Sequence, residues 1–89
     1  MSCSRTLEIT NRRGLHARAS AKFVTVAAGL TAQVHVEKDG NKVCGTSIMG
    51  LMMLGAAMGD TITIYCDGED CGDALDQLSA LVTERFGED

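Results

Sequence analysis

A histidine and an arginine two residues apart, in Gly14-Leu15-His16-Ala17-Arg18, are the residues of this chain best suited to chemistry. An extended pattern over residues 5–10 precedes them and a helical pattern over residues 17–30 follows, so His16 falls near a helix N-cap. There the first backbone N–H groups, beginning with that of Ala17, have no intrahelical partner. With the positive end of the helix dipole they form an anion site. Arg18 adds a forked donor that matches phosphate geometry. Neutral imidazole is a nucleophile and imidazolium is not, and a helix N-terminus disfavours the cation. A nucleophilic ring, an anion cradle and a guanidinium within one turn suit a histidine that accepts a phosphoryl group. They equally suit a histidine that only caps its helix. No Asp or Glu lies between Glu8 and Glu37, so no carboxylate neighbours His16 along the chain. A loop–helix junction with no water-positioning base fits transfer between proteins better than hydrolysis.

Two further sets of residues invite a chemical reading. Ser47 stands ahead of the short apolar run Ile48-Met49-Gly50-Leu51-Met52-Met53-Leu54 and reads as a helix N-cap. The run is too apolar for one side of a short helix. Leu51 and Leu54 are expected to face the core, and Ile48, Met49 and Met52 to face outward beside His16. Methionine suits a surface that accepts several partners in turn. The four cysteines, Cys3, Cys44, Cys66 and Cys71, contain no Cys-x-x-Cys pair and match no zinc spacing. They are expected to be reduced thiols, with Cys44 and Cys66 acting as small core residues. His35 is expected to be an exposed residue without a role. Glu8, Glu37 and the tail Gly87-Glu88-Asp89 are expected to be solvated charge.

The elements that must position these groups follow from periodicity. Leu7 and Ile9 alternate with polar residues as a half-buried strand, and a loop over residues 11–15 leads to the first helix. That helix carries Arg18, Lys22, Thr25 and Gly29 on one polar stripe. Ala17, Ala21, Phe23, Val24, Ala27, Ala28 and Leu30 form a broad buried surface, and Gly29 is a plausible end. Ala32, Val34 and Val36 alternate as a second strand, and Asp39-Gly40 signals a hairpin into a third strand over residues 42–45. A short helix over residues 48–53 follows Ser47. Ile62, Ile64 and Cys66 mark a fourth strand. Asp70 can cap a last helix, marked by Ala74, Leu75, Leu78, Leu81, Val82 and Phe86. The order βαββαβα gives an α+β open-faced sandwich with helices on one face of the sheet. Order alone equally allows a ferredoxin-like sheet.

Composition narrows the function classes. At 89 residues the chain supports one domain, residues 1–89, with one modest core. A net charge of −4 argues against a protein built mainly to hold nucleic acid or anionic membrane. Against that acidic background Arg12, Arg13, Arg18 and Lys22 cluster around His16, which suits attraction of a phosphorylated or acidic partner. The N-terminal residues have no apolar core of a secretory signal, and the longest apolar run, residues 48–58, is too short and glycine-broken to span a bilayer. A cytoplasmic protein without membrane insertion is expected.

Gly14-Leu15-His16-Ala17-Arg18 with Ala21-Lys22-Phe23-Val24, and Ser47-Ile48-Met49-Gly50-Leu51-Met52 with Leu54-Gly55, resemble two blocks of the HPr family, at fitting separation. These are the histidine-containing phosphocarriers of the bacterial phosphoenolpyruvate:sugar phosphotransferase system. The resemblance covers almost the whole chain. It implies a four-stranded antiparallel sheet covered on one face by three helices. It also implies that His16 is phosphorylated on Nδ1 by phosphorylated enzyme I, with Arg18 and the Ala17 N–H holding the phosphate. The group would then pass to a downstream enzyme II-type phosphoacceptor protein, so the chain is a carrier and not an enzyme. Ser47 would be the regulatory serine, met in many bacteria by an HPr kinase/phosphorylase. Ile48, Met49 and Met52 would dock partners onto a monomer, with no metal or cofactor. One departure is Ala19, where the family usually has proline. A regulatory binding module of the same fold, of the nitrogen-related kind and with no part in sugar transport, is the alternative. A third reading is a small metal or ligand binder using the cysteines.

Overall fold

The computed structural model describes residues 1–88. Strands β1 (Ser2–Glu8), β2 (Gln33–Lys38), β3 (Asn41–Cys44) and β4 (Thr61–Asp67) form one antiparallel sheet in the order β1-β4-β2-β3. Helices α1 (Ala17–Ala28), α2 (Ile48–Met53) and α3 (Cys71–Thr83) cover one face, and a 3-10 turn over Arg85–Gly87 ends the described chain. The ferredoxin-like alternative is set aside by this arrangement.

Alternation along β2 and β4 sends Val34, Val36, Ile62, Ile64 and Cys66 into the core, where they meet Phe23 and Ala27 of α1 and Leu75, Leu78 and Val82 of α3. At roughly 25 cal/mol per Å² this apolar burial is the main force holding the layers together. The β2–β3 connection is the tight hairpin expected: Asp39 (φ +53°) and Gly40 (φ +85°) both sit in the left-handed region, and Lys38 pairs with Asn41.

Several expectations need correction. β1 begins and ends earlier than residues 5–10, because its whole length pairs with β4 from Ser2 opposite Asp67 to Glu8 opposite Thr61. Its continuation, Ile9, is held by loop hydrogen bonds instead: its N–H donates to the Asp60 carbonyl and its carbonyl accepts from Gly59. α1 stops at Ala28, and Ala17 and Ala28 are exposed, so the buried face is narrower than a count of apolar residues implied: Ala19, Ser20, Phe23 and Ala27. Asp70 occupies the N-cap of α3 without a side-chain cap bond, and accepts from Thr31 at 3.3 Å. Phe86, spaced like a residue of the last helix, lies past its end. α3 finishes at Thr83, and Arg85 and Phe86 take left-handed conformations (φ +59° and +55°) that reverse the chain while keeping the Phe86 ring fully buried.

The cysteines differ most. Cys3 and Cys71 are disulfide-bonded, with Cα atoms 5.7 Å apart across 68 residues of sequence. The start of β1 lies beside the end of β4, and α3 begins only four residues after β4 ends. Cys66 is a buried core thiol as expected, pushed up in pKa by that burial. Cys44 is exposed instead of buried, because it sits at the end of edge strand β3 on the face the helices leave open.

Candidate functional site

The site is assembled where three loops meet. Asn11 is fully buried, and its side-chain amide donates to the Gly14 carbonyl at 2.8 Å, closing the turn that precedes α1. Gly14 takes φ +63°, and a Cβ there would stand 2.2 Å from the Ala56 carbonyl oxygen, so only glycine fits. Leu15 N–H donates to the same carbonyl at 2.9 Å. The loop before α1 is thereby locked onto the segment after α2, which brings the apolar helix toward His16.

His16 is the N-cap of α1. Its backbone is extended, and its carbonyl accepts the first helical bond, from Ser20 at 2.9 Å. The N–H groups of Ala17, Arg18 and Ala19 therefore have no helix carbonyl to bond, and the His16 side chain does not cap them. Ala19 is fully buried, so at this position the family's usual proline is replaced by a residue that keeps its N–H in the free first turn. Arg18 is exposed, and among the described residues its guanidinium makes no hydrogen bond or ion pair. Arg12 and Arg13 are likewise exposed.

The imidazole does have a partner, and it is one the sequence concealed. His16 Nε2 is hydrogen-bonded to Glu88 Oε2, and the two side chains are only 13% and 20% exposed. Glu88 Oε1 accepts from the Asn11 amide at 3.0 Å. Lys22 Nζ donates to the Phe86 carbonyl at 2.6 Å and ties the C-terminal turn to α1. Burial works to raise the Glu88 carboxyl, but hydrogen bonds from Asn11 and His16 and the charges of His16 and Lys22 outweigh it and hold the carboxyl below its ordinary range. Glu88 is thus not the solvated tail charge expected; Asp89 lies outside the described residues. Lys22, read as part of a basic cluster, is exposed and also positions the turn. Phe86, an apolar anchor three residues from the end, is the one sequence signal that could have exposed this return of the tail.

The chemical consequence concerns the tautomer. A carboxylate at Nε2 retains the proton there, so a neutral ring presents its lone pair at Nδ1. Among the described residues Nδ1 has no hydrogen-bond partner, and the ring belongs to the N-cap residue of a helix whose first three N–H groups are unpaired.

Ser47 caps α2 through its own hydroxyl, which accepts from Gly50 N–H at 3.0 Å. Leu51 and Leu54 are buried, while Ile48, Met49 and Met52 are exposed. The apolar surface is wider than read from the sequence: Met53 and Met58 are 79% and 59% exposed. Elsewhere, Glu37 is not simply solvated but accepts from Tyr65 Oη at 2.6 Å, which raises the phenol's pKa. His35 is half-buried, opposite Tyr65 in the ladder. Among the described residues no group of three or more His, Cys, Asp or Glu side chains stands close enough to share a metal ion, and no helix is long and apolar enough to cross a membrane.

Residues 3–84 match the family described as "PTS HPr component phosphorylation site". The chain is 48% identical over 84 residues to the phosphocarrier protein HPr of Cupriavidus necator, covering 94% of each. It is 45% identical over 79 residues to the HPr-like protein Crh of Bacillus subtilis, covering 89% of this chain and 93% of that protein. Its fold superposes on the crystal structure of an HPr from Thermoanaerobacter tengcongensis with a TM-score of 0.93, at 41% identity and 98% coverage of both chains. Glu88 falls beyond the matched residues.

Proposed function

The chain belongs to the HPr family, the phosphocarriers of the phosphotransferase system, and from that premise we propose that His16 accepts a phosphoryl group on Nδ1 from phosphorylated enzyme I and passes it to a downstream enzyme II-type phosphoacceptor protein. The observation that carries this reading is the His16–Glu88 pair at an open helix N-terminus. Glu88 holds the proton on Nε2, so Nδ1 attacks the donor's phosphorus, and the donor's own histidine nitrogen leaves. The N–H groups of Ala17 and Arg18 and the Arg18 guanidinium receive the equatorial oxygens. Glu88 also opposes a second negative charge close by, which keeps the phosphohistidine ready to give its group away. The reaction belongs to the cytoplasm, and the carrier acts as a monomer.

Ile48, Met49 and Met52 form the docking surface in this reading, extended by Met53 and Met58, and Arg12 and Arg13 attract an acidic partner face. Ser47 is the regulatory site for an HPr kinase/phosphorylase. Its hydroxyl already serves as the α2 cap, so modification exchanges a neutral cap for a charged one beside the docking surface.

The test is phosphorus NMR after incubation with enzyme I, magnesium and phosphoenolpyruvate. An acid-labile Nδ1-phosphohistidine signal that disappears in His16→Ala is the expected result. No signal with an enzyme I shown to phosphorylate another HPr overturns the carrier reading in favour of a regulatory binding module.

A further inference from the structure

Two segments leave the Cys3–Cys71 bond and run side by side in the same direction. One is β1 and the other is α3. Their cross-connections climb together: Cys3 to Cys71, then Arg5 to Ser79 at 2.9 Å and to Asp76 at 3.1 Å, then Asn11 to Glu88 at 3.0 Å. The two far ends are the two halves of the His16 site, Asn11 closing its loop and Glu88 holding its ring. The disulfide therefore fastens the base of the pair of elements whose tips must stay in register. Of the polar connections, the Arg5–Asp76 pair is exposed and contributes little by itself.

We infer that Cys3–Cys71 is a reversible redox site whose closure clamps β1 against α3 and keeps Glu88 seated on His16. The part of this inference that concerns phosphoryl transfer rests on the carrier reading; the part that concerns Glu88 does not. Cys3 is the half-buried member, packed against the edge of the core, whereas Cys71 is fully buried. A thiolate of an external dithiol attacks the Cys3 sulfur, and Cys71 leaves as a thiolate and takes up a proton. The second thiol of the reductant then displaces Cys3 from the mixed disulfide. Two electrons and two protons pass from the dithiol to the protein, leaving two protein thiols and an oxidised reductant. Cys66, opposite Cys3 in the ladder, is buried, and burial pushes its thiol pKa up, which disfavours it as an attacking thiolate.

The experiment uses the intact chain equilibrated in dithiothreitol buffers of defined reduced-to-oxidised ratio. Thiols are trapped at each ratio and counted by mass, and the bridge is mapped by non-reducing peptide digestion. Two trapped thiols, Cys44 and Cys66, are expected at the oxidised end and four at the reduced end. Reduction is expected to lower the thermal midpoint by on the order of 10 °C, since the bond closes a long loop. It is also expected to raise amide exchange at Gly87 and Glu88 at least tenfold. Cys3→Ser/Cys71→Ser should reproduce the reduced protein in both buffers, and Cys44→Ser should behave as the parent chain. Four thiols at every ratio, or a bridge through Cys66, overturns the assignment of the bond. A bond that forms without changing exchange at Glu88 overturns the clamp. Phosphohistidine formation by the oxidised protein is scored separately, so failure of the carrier reading shows there while exchange at Glu88 still reports on the clamp.

Discussion

Two helices of this molecule begin in opposite ways. α2 begins with Ser47, whose hydroxyl takes the Gly50 N–H and closes its own first turn. α1 begins with His16, whose side chain is bonded to Glu88 and leaves the N–H groups of Ala17, Arg18 and Ala19 unbonded among the described residues. A cap that satisfies its helix contributes about 1 kcal/mol of stability and has little left for a ligand. A helix start left open gives up that stability and keeps donors ready for an anion. The contrast separates a closed helix start from an open one that carries a histidine, although both look alike as a polar residue ahead of a helical pattern.

The largest effect that would break the contrast is at His16 itself. His16→Ala is expected to abolish acid-labile phosphorylation while the circular dichroism spectrum stays close to that of the parent; a phosphorylated variant would place the chemistry elsewhere. Gly14→Ala should cost about 2–4 kcal/mol in urea unfolding, because its Cβ meets the Ala56 carbonyl at a positive φ. A near-neutral result would mean that the loop is not locked to the α2 segment. Glu88→Gln keeps the shape and removes the charge, and should slow phosphoryl acceptance on the order of tenfold, the scale at which a carboxylate orients an imidazole.

Glu88 also predicts a pH dependence. Its folded pKa is depressed, so its contribution to stability is complete above the ordinary value of 4.5 and is lost as pH falls through the lower folded value. The melting difference between the parent chain and Glu88→Gln should therefore be present at pH 6 and fade on acidification below 4.5. A difference that grew in acid would reverse the sign of the linkage.

Smaller effects sharpen the comparison. Ser47→Ala should cost about 1 kcal/mol by loss of the α2 cap, with His16 phosphorylation unchanged. Ala19→Pro should raise stability by about 0.5 kcal/mol, since position 19 has no helical bond to lose, and should retain phosphotransfer. A lower melting temperature would show that the fully buried site has no room for the ring.

Legibility followed the range of the interactions. The hairpin at Asp39-Gly40, the Ser47 cap, the start of α1 at Ala17 and the inward set of β4 are written in neighbouring residues, because turn conformation, capping and two-residue alternation act over a few positions. So is the His16–Ala17–Arg18 constellation, whose chemistry needs only one turn of helix. What failed to read were pairs joined by the fold. Phe86 has the spacing of an α3 residue, and nothing local says that the backbone reverses at Arg85 and Phe86 to bury the ring from another direction. Glu88 then reaches His16 across 72 positions, and Cys3 reaches Cys71 across 68. The sequence by itself determined the local elements and placed a histidine and an arginine at a helix start. Only the tertiary structure decided which ring nitrogen is free and which carboxylate holds the other. It also decided which cysteines are joined, because these depend on the sheet order and the return of the tail, which bring distant residues within bonding distance.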